Sequence, residues 1–310
     1  MIIYKTLSNS LKWINLYSSK RNLISLQSLL ICILLISFSC KPVVSDTGEK
    51  LLLNLYYQSK SNVQYNTPSI EHFEKARHLF KQMLYQPVEI SNIENLWSEL
   101  GYKLHEIDFK GEKLLVLSPD AQQTEAYGFF IFRINSNMPL IIQSPHRFFD
   151  LHTGKIAMQF FLESRAKACA WNTVHRRNVD FGKEKTSFFH ALTLASIDTD
   201  QDISVIQLHG YGQKRNSEPL VDDVILSNGV FKPSAKLYEI SNCLSKYQDI
   251  DVAVFPIHVS QLGGTRNVAS KAFKQSSLHN FFHIEMSKTY RERLRDKKDL
   301  RNAFLSCFIN

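Results

Sequence analysis

The chain has 310 residues, 44% of them hydrophobic and 21% charged, with a formal net charge of +8. That balance excludes a disordered or low-complexity protein and suits one large globular domain with a smaller appendage. It gives no support for a nucleic-acid surface: Lys5, Lys12, Lys20 and Arg21 fall in the first 39 residues without an acid, so the remainder carries only +4.

Those 39 residues pass from a basic start into an uncharged run, Asn22 to Ser39, whose most apolar part is Leu29 to Ile36. The apolar core is shorter than a membrane-spanning helix needs, so residues 1–39 read as an export leader. Ser37-Phe38-Ser39-Cys40 resembles a bacterial lipoprotein cleavage site, with Ser37 and Phe38 departing from the usual aliphatic-then-small pattern. It implies a cell-envelope protein held at the membrane surface by lipid on Cys40, with residues 40–67 as a tether. Only Cys169, Cys243 and Cys307 remain, without CxxC spacing. Each is expected to pack as a small apolar residue.

Residues 68–136 read as a small α+β portion. Ser69 offers an N-cap to a helix bearing Phe73, Ala76, Phe80, Met83 and Leu84 at helical spacing. Ser91 and Glu94 form a capping-box pattern before Ile93, Leu96, Trp97 and Leu100, and Gly101 supplies a stop. Leu104 to Ile107 and Leu114 to Leu117, around Lys110-Gly111, predict a hairpin. Tyr127 to Ile134 predicts a further strand.

Beyond this point, residues 137–310 alternate. Strands are predicted over Leu140–Gln143, Ala170–Val174, Ile203–Leu208, Asp223–Leu226, Val252–Phe255 and Phe281–Met286. Helical stretches follow Thr153, cover Phe188 to Leu194 and Ala235 to Tyr247, and close the chain as one basic helix from Tyr290 to Phe308. The pattern predicts an α/β fold: a three-layer sandwich with a mixed, mainly parallel sheet.

Three predicted strands end in groups able to do chemistry. The first runs into Pro145-His146-Arg-Phe-Phe-Asp150-Leu-His152, the second into His209-Gly210, and the third carries His283 and Glu285 on one face. A catalytic zinc takes about three nitrogen or oxygen ligands and leaves one position open. His146, Asp150 and His209 supply that set, and an unligated Glu285 could shuttle a proton. Each residue also has a plainer role available: Asp150 as a helix cap, His146 as a loop histidine, His152 as structural.

The segments Leu-Ile-Ile-Gln-Ser-Pro-His146, Gln-Leu-His209-Gly210 and His283-Ile-Glu285-Met-Ser287 resemble, in this order, the N-formylglutamate amidohydrolase and zinc-carboxypeptidase-like families. The resemblance covers roughly Pro139 to the C-terminus. It implies zinc held by His146 and His209 with Glu285 as general base. Asp150 or His152 completes the shell, since His-x-x-x-Asp stands here where carboxypeptidases have His-x-x-Glu. It also implies an arginine that clamps an acidic substrate; Arg176 and Arg291 are the candidates, with Asn267 in a turn-rich loop as a further contact. The expectation is an exported zinc-dependent hydrolase cutting an amide of an N-acyl amino acid or small acidic peptide. The alternatives are a poly-γ-glutamate or cell-wall amide hydrolase, and a non-catalytic envelope lipoprotein on the same scaffold.

Overall fold

The computed structural model describes residues 47–59, 65–85, 90–120, 127–212, 214–215, 218–219, 222–248 and 250–309. The proposed leader and Cys40 lie outside them. Residues Gly48–Asn310 form one compact unit.

Its centre is a nine-stranded sheet: β1 (Tyr102–Phe109), β2 (Glu112–Pro119), β3 (Phe129–Arg133), β4 (Met138–Ser144), β5 (Ala166–Trp171), β6 (Ser204–Gly210), β9 (Val224–Ser227), β10 (Val252–Val254) and β11 (Phe281–Met286). A two-stranded ribbon, β7 (Lys214–Arg215) and β8 (Glu218–Pro219), stands apart. The order is β1-β2-β3-β5-β4-β6-β11-β9-β10. The inner strands β5, β4, β6 and β11 run parallel, whereas β1–β3 join by antiparallel pairing and β9 pairs antiparallel to β11. The sheet is mixed, parallel at its centre, as the sequence pattern predicts. The front hairpin is continuous with it.

Alternation along the inner strands divides the core in two. Ile142, Ile206, Leu208, Phe282 and Ile284 face one layer, made by α1 (Thr47–Gln58), α4 (Thr153–Glu163), α6 (Ala235–Gln248), α8 (Lys288–Asp296) and α9 (Lys298–Ile309). Ile141, Val205 and Phe281 face the other, made by α2 (Ile70–Tyr85), α3 (Ile90–Glu99), α5 (Phe188–Thr199) and α7 (Val268–Gln275). Because side chains alternate with period two, Gln143, Gln207, His209, His283 and Glu285 share this second face.

Several local expectations change. β5 starts at Ala166, four residues before the predicted strand, because its small alanines fit between two covered faces. The pattern gave no strong apolar signal there. Ser91 lies inside α3 and does not cap it, whereas Ser69 does accept from the His72 N–H, at 3.1 Å. The predicted closing helix is two helices that break at Lys297. The break is held by Arg301, which donates to the carbonyls of Leu294 and Arg295 and pairs with Glu163 at 2.6 Å. Helix α7 had no sequence counterpart.

The cysteine expectation is overturned for two of three residues. Cys243 on α6 and Cys307 on α9 form a disulfide across 64 residues, with Cα atoms 5.6 Å apart; Cys169 is buried and free. A loop of that length corresponds to about 4 kcal/mol of restricted unfolded-chain entropy. Cys243→Ser is therefore expected to lower the denaturant midpoint, and reductant should bring the unaltered protein down to the variant's value.

Candidate active site

Pro145 ends β4, and the next residues wind into a single helical turn. The His146 carbonyl accepts from the N–H groups of Phe149 and Asp150, both at 2.8 Å, so side chains 146 and 150 stand one turn apart on one side. The Thr153 hydroxyl donates to the Asp150 carbonyl at 2.7 Å and accepts from Ser144 at 2.8 Å, pinning the turn to the strand. From outside, Arg147 stacks on Tyr56 of α1 at 4.1 Å and donates to the Tyr56 carbonyl and the Ser59 hydroxyl. Asp150 is not a helix cap: His152 occupies that position, with φ 75° and no side-chain cap bond. The His152 ring lies against Arg295 at 3.2 Å, apart from the other site groups.

On β6, His209 stands opposite Glu285 of β11 in parallel register, and Gln207 opposite His283. His146, His209, His283 and Glu285 all line one cavity of about 690 Å³ at the carboxyl ends of these strands, where an α/β sheet opens into a crevice.

Three ligand atoms converge there. His146 Nδ1 lies 3.1 Å from His209 Nδ1, and Asp150 Oδ2 lies 3.3 and 3.4 Å from the two. All three residues are buried. A tetrahedral site with arms of ~2.0–2.1 Å has edges of about 3.3–3.4 Å, so this triangle is close to one face of such a site. Among the described residues, neither Asp150 oxygen has a well-directed hydrogen-bond partner, although the residue is 1% exposed. A buried carboxylate in that condition calls for a cation.

The surrounding hydrogen bonds fix which nitrogens are free. His146 Nε2 contacts Asp180 Oδ1 at 2.8 Å. His209 Nε2 contacts Gln207 Oε1 at 3.1 Å, and the direction of that contact follows from backbone anchors on both sides. Thr193 donates to the Phe189 carbonyl and so accepts from Gln143. Gln143 Oε1 then accepts from Gln207 Nε2, which leaves Gln207 Oε1 facing His209. Asn267 accepts from the Ala269 N–H and donates to the same Gln207 oxygen. Both imidazoles thus carry their protons on Nε2, and two Nδ1 lone pairs face each other and Asp150. That donor set fits a divalent metal.

Burial would raise the Asp150 carboxyl, but it is outweighed when the His146 and His209 rings turn N–H protons toward it, which holds it well below the usual carboxylate range. With those protons on Nε2, a bound cation takes over that stabilisation. Burial, then the neighbouring His146, push His209 down to about 4 against the pull of Asp150, so the ring is neutral at neutral pH. For Asp180, burial is again outweighed, by His146 first and then Lys183 and Arg176.

The other predicted residues take different positions. Arg176 lies on the cavity wall, 3.4 Å from Asp180. Asn267 lines the cavity, but its amide is engaged at both ends, capping α7 and bracing Gln207. Arg291 is 5% exposed, and its Nε and Nη1 have no hydrogen-bond partner among the described residues. Its guanidinium packs on Gly210, where an added Cβ would fall 1.1 Å from Nη1. Only glycine leaves room for that cation beside the site. Three participants take no role from the sequence. Asp180 stands in a segment, Asn178 to Glu184, that suggests a pocket rim and no chemistry of its own. Gln207 enters only as a member of a family-like motif, and so does His283, which also shares a face with Glu285. Its ring stacks on His209 at 4.3 Å.

Second partners of this kind hold a ligand's orientation, and losing one lowers metal affinity about 10–100-fold. Asp180→Ala and Gln207→Leu are each expected to weaken metal binding by that factor. Competition against a chromogenic chelator would measure it.

No protein-family model and no curated protein matches this chain. Solved structures do. An N-formylglutamate amidohydrolase from Ralstonia eutropha JMP134 is similar at 14% identity over 59% of this chain and 97% of that one, TM-score 0.44. An aspartoacylase family protein from Mesorhizobium loti is similar at 11% identity over 67% of each chain, TM-score 0.36. The LapA aminopeptidase of Legionella pneumophila is similar at 10% identity over 86% of this chain and 71% of that one, TM-score 0.39. The likeness is one of fold. The functional reading rests on the side chains.

Proposed function

We propose that the protein is an exported, zinc-dependent hydrolase that cleaves an amide bond of an acidic N-acyl amino acid or peptide-like substrate. The observation that carries this reading is the meeting of His146 Nδ1, His209 Nδ1 and Asp150 Oδ2 within 3.4 Å of one another, with Glu285 on the wall of the same cavity. Two imidazoles and one carboxylate suit zinc, which when bound supplies water of lowered pKa and polarises a carbonyl. Glu285, outside the triangle, takes the proton of the attacking water and returns it to the leaving nitrogen. Arg176 and Lys183, which flank Asp180, together with Arg266 leave this part of the cavity wall with a net positive charge suited to a substrate carboxylate.

Export is supported by the leader-like first 39 residues and by the Cys243–Cys307 disulfide, a bond that persists in oxidising compartments. Lipid on Cys40 would then hold the enzyme at the membrane surface. Among the described residues no helix is long and apolar enough to cross a membrane.

The test is elemental analysis together with turnover of a panel of N-acyl amino acids and short acidic peptides. About one zinc per chain is expected, with activity lost on chelation and restored by zinc. Zinc bound without turnover of any amide would leave the non-catalytic lipoprotein reading in its place.

A further inference from the structure

A second cavity of about 530 Å³ lies beside the catalytic one. Phe231 and Thr265 line both. Its apolar lining comes from Val230, Phe273, Leu278 and Phe281, between α7 and the loop that follows β9. The base of the dividing wall is firmly set. Gly229 has φ +73°, and a Cβ there would meet Ser270 Oγ at 1.9 Å and the Gly264 carbonyl at 3.3 Å, so the loop after β9 is packed against the Ser270 side chain of α7 and the backbone of Gly264. Above that base Phe231 projects with 74% of its surface exposed, in contact with Phe255 at a ring distance of 5.4 Å. An aromatic ring left open between two cavities is a surface suited to an apolar group.

The charge around this cavity has one sign. Lys232, Lys271 and Lys274 line it, no aspartate or glutamate does, and none of the three lysines forms an ion pair with a described residue. Apolar lining with unpaired ammonium groups complements an apolar moiety carrying a carboxylate. The catalytic cavity alone already has the volume of a pocket for a drug-sized ligand, so a substrate reaching past Phe231 is longer than a formyl or acetyl amino acid.

We infer that the substrate is bipartite. While the scissile amide lies at the His146–His209–Glu285 end, the far end passes over Phe231 and places an apolar residue with an acidic neighbour in the second cavity. This inference deepens the amide-hydrolase reading and rests on it. It names the substrate class as an extended acidic peptide, in which a carboxylate far from the cut bond is recognised by Lys271 and Lys274.

The test compares peptides sharing one scissile bond: a short one, and two long ones ending in Phe-Glu or Phe-Gln at the far end. With zinc-loaded protein, the Phe-Glu peptide is expected to be favoured over Phe-Gln by a few-fold to about tenfold, as expected for exposed ion pairs. The preference should reside in KM and shrink with added salt. The double variant Lys271→Ala/Lys274→Ala should lose it while cutting the short peptide as before, and Phe231→Ala should weaken both long peptides. Equal use of the two long peptides, or a double variant equally slow on the short one, would overturn the inference. If nothing is turned over, a dansyl-labelled Phe-Glu peptide read by fluorescence anisotropy decides the matter. Saturable, salt-sensitive binding lost in the double variant upholds the second cavity even though the hydrolase reading fails. Absence of binding sinks both.

Discussion

His209→Ala is expected to bring bound zinc from about one per chain to near none and to abolish activity. The loss is large because the substitution removes one corner of the triangle and disturbs the other two. His209 Nδ1 lies 3.1 Å from His146 Nδ1 and 3.4 Å from Asp150 Oδ2. Without it, His146 and Asp150 are two ligands where zinc sites use three or four. The hydrogen-bond chain from the Thr193 hydroxyl through the Gln143 amide to the Gln207 amide would also end on an empty space. A readout independent of activity exists. Zinc at one hundred times its dissociation constant stabilises a folded protein by about 2.7 kcal/mol. That stabilisation should raise the denaturation midpoint of the unaltered protein and leave the His209→Ala midpoint unchanged. A variant that still responds to zinc would place the metal elsewhere.

What the sequence made legible was whatever local pattern encodes. Phe281–Met286 is an apolar run that carries polar groups at alternate positions, so His283 and Glu285 could be put on one face in advance. His209 before Gly210 ends an apolar run, and the strand ends where the run does. The metal triangle was legible as a set of residue types, but the choice between Asp150 and His152 was not. That choice depends on one helical turn after Pro145, which turns residue 150 inward and sends residue 152 towards Arg295. Contacts that exist only after the layers assemble left no trace in spacing. Asp180 reaches His146 from a loop 34 residues away. Cys243 and Cys307 meet because α6 and α9 pack in the same layer. The break at Lys297 was hidden because Arg301, which holds it, reads as one more cation on an amphipathic face.

Glu285→Gln is expected to keep zinc and fold while lowering kcat by about 10²–10⁴, the range for loss of a general base. Glutamine has the shape of glutamate but cannot take up a proton, so the substitution separates proton transfer from metal binding. The separation matters because His209, His283 and Glu285 form a second group whose ligand atoms lie within 4.8 Å of one another. If the metal sat in that group, Glu285→Gln would release it and Asp150→Asn would not. If it sits in the His146–Asp150–His209 triangle, the two outcomes exchange: Asp150→Asn loses metal and Glu285→Gln retains it without turnover. The triangle is the better site because its two nitrogens are both Nδ1 lone pairs facing one point, and its three ligand atoms stand 3.1, 3.3 and 3.4 Å apart, close to the edge lengths of a tetrahedral site. Zinc content and single-turnover rates on the two variants, measured side by side, assign the metal and the base from one pair of proteins. Full turnover by the Glu285 variant would remove that residue from the chemistry even if the metal stayed in place.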